Sequence, residues 1–235
     1  MSEHAYSAAT VSTRQRMKGI ERPRAVSALG VAGLCLAALA LVWVLASQVP
    51  AVQLKDAVLL RDFTLLNRPS VEGPANFLLH LLEPTQFVLW GIALVAVAIA
   101  RERPRVALAA IALMTLAPFT SETLKPLLAH PHVRIGDLSI GPASWPSGHS
   151  TAALALVYAA VLVAPRRMRP VVAGIGVAFA AVVGCALLML AWHMPSDVLG
   201  GYLVATFWAA LVLAALRAVD RAAPARSRWP RRVSS

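Results

Sequence analysis

The sequence predicts an all-α integral membrane protein of six transmembrane helices with both termini cytoplasmic, and three observations predict it. Of the 235 residues, 58% are hydrophobic and 14% charged, and the mean hydropathy is +0.67, well above an ordinary soluble domain. The apolar residues come in long blocks: residues 25–54 carry no charge at all, whereas a bilayer core needs only about 20 helical residues. Finally, the lysines and arginines gather in alternate connections, as expected when one side of a membrane retains them.

The basic stretch 1–24 reads as a cytoplasmic tail. The block behind it is about twice the length of a secretory signal core, so it reads as an anchor. Further apolar segments cover 76–100, 105–129, 148–164, 171–192 and 198–216, completing six helices in one domain, 25–217. Between the first two lies 53–74, whose Leu54, Val58, Leu59, Phe63, Leu65 and Leu66 recur in a partly helical pattern that could rest on the outer membrane face. A second basic tail covers 218–235. In the fifth helix Gly176, Ala180 and Gly184 make a small-residue stripe suited to close helix packing. Cys35 and Cys185 sit inside apolar runs and suggest neither a disulfide framework nor a metal-ligand spacing.

With both termini inside, the inner segments hold most of the 22 lysines and arginines, among them Arg22 and Arg24, Arg101, Arg103 and Arg105, Arg166, Arg167 and Arg169, and Arg217 and Arg221. The outer connections keep only Lys55, Arg61, Arg68, Lys125 and Arg134. A formal charge of +11 would suggest nucleic acid in a soluble protein. Here no nucleic-acid motif accompanies it, and the partner expected is the lipid bilayer of a plasma membrane, not nucleic acid.

On the outer side, polar residues concentrate at the end of helix 3, the start of helix 4, and the turn between helices 5 and 6. Ionisable groups near membrane depth are expensive, so their convergence suggests a functional site. Pro146, Ser147, Gly148 and His149 open a helix, with Ser147 as N-cap and Gly148 letting backbone N–H groups approach an anion; a plain turn and cap fits the same four residues. His193 and Asp197 flank Pro195. The carboxylate can hold the imidazole Nδ1–H and leave Nε2 as nucleophile or base, or Asp197 can simply cap helix 6. Lys125 follows Glu122 by three residues, so the two can neutralise each other or the lysine can meet an anionic substrate. Together a cation, an anion cradle, a nucleophile and an acid suit phosphoryl transfer. His80 and Glu83, near the outer end of helix 2, read either as an ordinary interhelical hydrogen bond or as part of a substrate groove.

These motifs resemble the type 2 phosphatidic acid phosphatase superfamily, the integral-membrane lipid phosphate phosphatases related to haloperoxidases. The family's Pro-Ser-Gly-His stands at 146–149, and the second half of its last motif stands as His193 and Asp197 within His-x-Pro-Ser-Asp-Val-Leu-Gly-Gly. Two departures accompany the match. After Lys125, where the family pattern has Arg-Pro, the chain has His132 and Val133, with Arg134 next; where the last motif opens Ser-Arg, it has Ala186 and Leu187. The resemblance implies a haloperoxidase-like helical bundle core and attack by His193, oriented by Asp197, to give a phosphohistidine. His149 would protonate the leaving group and then activate water. Lys125, Ser147, Gly148 and Arg134 would hold phosphate oxygens, and no metal or other cofactor is called for. Arg61, Arg68, His130 and His132 are the other cations that could replace the absent arginines. The expected substrate is a polyprenyl or glycerolipid phosphate, monophosphate or diphosphate. Alternatives of the same origin are a lipid phosphotransferase and a non-catalytic lipid-binding or transport protein.

Overall fold

A computed structural model describes residues 27–134, 136 and 139–222, and among them the regular elements are all helices, with no strand. Eight helices follow in order: α1 (Ser27–Gln48), α2 (Pro50–Thr64), α3 (Pro69–His80), α4 (Pro84–Ala100), α5 (Pro104–Leu127), α6 (Gly148–Val163), α7 (Arg169–Met189) and α8 (Pro195–Ala222). Nearly all of the two basic tails lies outside the described residues.

Proline sets most of the boundaries, and there the helices depart from the apolar blocks. The block 25–54 splits because Pro50 holds Val49 in an extended conformation at φ −108° and ψ 103°, ending α1 and restarting the chain as α2. The segment 53–74 is therefore mostly regular helix, and α2 packs against α7 and α8 with Ala57 and Leu60 buried. Pro84 likewise forces Glu83 to φ −61° and ψ 155°. The expected second span thus begins earlier than residue 76 and is a pair of helices, α3 and α4, bent by 56°. Pro195 opens α8 three residues before the expected start and the helix runs on to Ala222, past the end of the expected domain.

Among the described residues four helices, α1, α5, α7 and α8, are long and apolar enough to cross a membrane, and the bent pair adds a fifth if it forms one broken span. The sixth expected span falls on α6, which at 16 residues is ~24 Å long against a bilayer core of ~30 Å. Its shortness goes with enclosure: α6 packs against α4, α5, α7 and α8. Its buried positions, from Ser150 to Val163, point in every direction, as in a helix surrounded by protein. Lipid-type exposure lies outside this core, with Leu34, Leu108, Phe119 and Ile175 each about two-thirds exposed.

Small residues let the helices close on α6. A Cβ at Gly176 would run into the Val157 side chain on α6, and one at Gly184 would lie 2.7 Å from the Tyr202 hydroxyl of α8. The Tyr202 hydroxyl donates to the Ala180 carbonyl. The Gly176, Ala180 and Gly184 stripe is thus a packing surface, as read from the sequence. Cys35 and Cys185 are both free thiols.

Candidate active site

Four helix ends meet at one end of this bundle: the C-terminus of α5, the N-terminus of α6, the C-terminus of α7 and the N-terminus of α8. The chain crosses the bundle in α6 and α7, so residues 147–149 and 193–197, distant in sequence, return to the same end. One backbone bond fixes their register, the Ser147 N–H donating to the Asp197 carbonyl at 2.9 Å. Around it, the Thr151 hydroxyl bonds to the Ser147 and Gly201 carbonyls at 2.8 and 3.2 Å, and the Ser121 hydroxyl of α5 donates to the Pro146 carbonyl at 3.0 Å. All four side chains are buried. Gly201 is required here, because a Cβ would collide with Ser150 Oγ and the Ser147 carbonyl.

Ser147 caps α6 as expected, its hydroxyl accepting from the Ser150 N–H at 3.4 Å. Next to it, Gly148 faces the end of α5. A Cβ built on Gly148 would lie 2.6 Å from Glu122 Oε1 and 3.4 Å from Lys125 Nζ. Lys125 therefore reaches the first turn of α6 while keeping a 2.6 Å ion pair with Glu122. Both readings of the lysine hold at once: it is paired, and it stands at a helix N-terminus suited to anions.

Asp197 is wholly buried. Its Oδ2 accepts from the Met194 N–H at 2.9 Å and faces His193 Nδ1 at 3.3 Å. A proton on Nδ1 then serves Asp197 and leaves Nε2 as the unprotonated nitrogen. Asp197 Oδ1 has no hydrogen-bond partner among the described residues, so the carboxylate has acceptor capacity in reserve. His149, half-buried, sets its ring edge-on to Trp192 at 5.5 Å between centroids, and it lies close enough to His193 and Lys125 for their charges to act on one another. The structure thus brings together Lys125, Ser147, Gly148, His149, His193 and Asp197.

Arg134 stands apart. It is exposed on the connection between α5 and α6, and no hydrogen bond or ion pair among the described residues joins it to this cluster. Arg61 and Arg68 are also exposed, at the end of α2 and the start of α3. The same connection folds its two histidines inward. His130 is buried, its Nδ1 at 3.1 Å from the Leu128 carbonyl, while its ring lies 4.7 Å from that of His132. His132 Nε2 meets Ser144 Oγ at 2.9 Å. Burial pushes the His132 pKa down, helped by His130 and His193 and opposed by Asp197, so it is a poor standing cation for a phosphate. His80 and Glu83 form an exposed 2.7 Å pair across the bend between α3 and α4, a local contact within that turn.

One residue at the site goes unnoticed in the sequence. Asp56 on α2 accepts from both the backbone N–H and the hydroxyl of Ser196, at 3.0 and 2.6 Å. It anchors the first turn of α8 immediately beside Asp197. Burial pushes the Asp56 pKa up, the two bonds from Ser196 pull it down, Asp197 pushes it up and His130 pulls it down. Its only sequence signal is an acidic residue within a segment of mixed polarity, with its partner 140 residues away.

The sequence model of the PAP2 superfamily matches residues 78–221, which include every member of the cluster except Asp56. Among solved structures the chain is similar to the first transmembrane PAP2-type phosphatidylglycerolphosphate phosphatase from Bacillus subtilis. The identity is 20% and the TM-score 0.69, covering 82% of this chain and 98% of that one. At that identity the likeness is one of fold. No curated protein sequence matches this chain.

Proposed function

The chain belongs to the PAP2 superfamily, and on that premise we propose that it is a membrane lipid phosphate phosphatase acting through a phosphohistidine. The observation that supports this reading most is the Ser147 to Asp197 backbone bond, which locks the anion-binding start of α6 to the His193 and Asp197 pair. A phosphate seated at the N-terminus of α6, against Lys125, would have its phosphorus within reach of His193.

In the first half-reaction His193 Nε2 attacks phosphorus in line and the bond to the lipid oxygen breaks. His149 donates its proton to that leaving oxygen. Asp197 holds Nδ1–H and stabilises the positive imidazole as it forms. In the second, His149, now neutral, takes a proton from water; the water oxygen bonds to phosphorus and the bond to Nε2 breaks. His193 returns to its starting state and inorganic phosphate leaves. Lys125, the Ser147 hydroxyl and the Gly148 N–H hold the non-bridging oxygens, in a water-poor setting where such contacts gain strength. Arg134, exposed on the connection between α5 and α6, would supply the further positive charge.

The arginine-rich connections at the opposite end support a reading in which this end of the bundle faces the outer side of the plasma membrane. The substrate is a polyprenyl or glycerolipid phosphate held at the surface. Release of inorganic phosphate by the purified protein, screened across lipid monophosphates and diphosphates, tests the assignment. Release from at least one lipid, unchanged by an added acceptor lipid, is the expected result. Phosphate passing to the acceptor instead would make the protein a transferase, and no release from any lipid would contradict catalysis.

A further inference from the structure

At the far end of α5, α6, α7 and α8, ~36 Å along α5 from Lys125's end, a second concentration of charge surrounds a cavity of about 470 Å³. Five arginines and two acidic residues line it, together with Leu162, Leu213 and Leu216. The arginines are not equivalent. Arg105 is engaged by Asp220 at 3.1 Å. Arg103 and Arg169 are half-buried and fixed by backbone: Arg103 donates to the Val163 carbonyl at 3.0 Å, and Arg169 to the Ala164 and Leu162 carbonyls at 3.3 Å each. Both therefore cap the C-terminus of α6 and hold their guanidinium groups in place before any ligand arrives. Arg166 stands exposed at the rim. Burial, and then the neighbouring charges of Arg169, Arg101 and Arg166, lower the Arg103 pKa, as expected of cations crowded without a sufficient counter-charge. The positive ends of α5 and α7 open at the same place.

A second feature says what kind of anion fits. The basic cavity shares Leu162, Leu213 and Arg217 with an adjoining groove of about 400 Å³, which continues between α1, α6 and α8 past Ala28, Val31 and Ala210. That groove is almost wholly apolar and runs beside α1 and α8, both long enough to cross the bilayer. A soluble anion would use the arginines and leave the groove empty. A phospholipid would fill both, its phosphate between the arginines and an acyl chain along the groove.

We propose that this end of the bundle is a binding site for an anionic diacyl phospholipid, separate from the histidine cluster, with Arg103, Arg166 and Arg169 receiving the headgroup phosphate. The lipid acts as a bound ligand and not as a substrate, because no nucleophile or acid of the histidine cluster lies at that end.

Native mass spectrometry of the detergent-solubilised full chain tests it with dioleoylphosphatidylglycerol, a phosphodiester, against zwitterionic dioleoylphosphatidylcholine, and with inorganic phosphate as competitor. Phosphatidylglycerol should bind in preference to phosphatidylcholine and survive excess inorganic phosphate. Arg166→Gln, which breaks no described hydrogen bond, should weaken binding several-fold, and Arg103→Gln with Arg169→Gln on the order of tenfold or more. His193→Ala should leave it unchanged. Equal binding of the two lipids would overturn the proposal, and so would displacement by inorganic phosphate, which would mark a soluble anion as the ligand. Loss in His193→Ala without loss in Arg166→Gln would overturn it too, by placing the bound lipid at the histidine cluster. If the double variant fails to fold, Arg166→Gln alone decides.

Discussion

At one end of α5 to α8 two aspartates are drawn into the protein and committed to particular partners; at the other, arginines crowd a cavity with surplus positive charge. Asp197 is wholly buried against the Met194 N–H and His193, and Asp56 is bonded twice to Ser196. The far end carries five arginines around one cavity, two of them pinned only by backbone carbonyls. The proposed roles of the two ends account for the difference. A group that takes part in bond-making must be held in one orientation and one protonation state, which requires burial and specific hydrogen bonds. A group that attracts a lipid phosphate needs only to be charged and near the bilayer surface.

If this contrast is correct, perturbing the buried end should cost activity in proportion to how directly each group serves His193. The largest loss is expected from Asp197→Asn, which preserves shape but cannot stabilise the charged imidazole. Turnover should drop by about a thousandfold, measured as phosphate release from the best lipid substrate, and a fall of less than about tenfold would break the comparison. Gly148→Ala comes next, because its Cβ would sit 2.6 Å from Glu122 Oε1 and push the Glu122 and Lys125 pair off the start of α6. About a tenfold loss in kcat/KM is expected, partly restored when Glu122→Ala makes room in the same chain; no restoration would mean that the glycine acts otherwise than by admitting that pair.

Asp56→Ala should cost about 1–3 kcal/mol of stability, by leaving the Ser196 N–H without its acceptor. Asp56→Asn, which retains an acceptor oxygen, should cost less in both stability and turnover. Equal effects of the two, read from thermal melts and phosphate release, would show that its charge matters more than its hydrogen bonds. The smallest effect concerns pH. His132 has its folded pKa pushed below the ordinary 6.5, so as pH falls through that value the unfolded chain takes up a proton that the folded chain resists. Stability should therefore decline in acid, and the decline should shrink in His132→Gln. An identical pH profile of the melting temperature in the variant would remove His132 from that account.

Much of this architecture was legible from the residues, for reasons that differ between its parts. The apolar blocks and the small-residue stripe are local patterns, and α5, α7 and α8 follow them closely. Proline positions carry the information that the block pattern ignores: Pro50 and Pro84 divide two expected single spans, because each forces its predecessor out of the helical conformation. Ser147 as a cap and His193 with Asp197 were readable because their partners lie within four residues. Asp56 was not, since its partner is 140 residues distant and only the packing of α2 on α8 joins them. The two readings of Lys125 could not be separated in sequence for the same reason: that it reaches Gly148 depends on how α5 and α6 meet.

The most direct measurement is capture of the covalent intermediate. Purified protein mixed with a lipid substrate labelled in its phosphate, quenched in alkali within a turnover and digested, should yield a phosphohistidine peptide containing His193, and none from His193→Ala. Label on His149, or full turnover in His193→Ala, would contradict the assignment of the nucleophile.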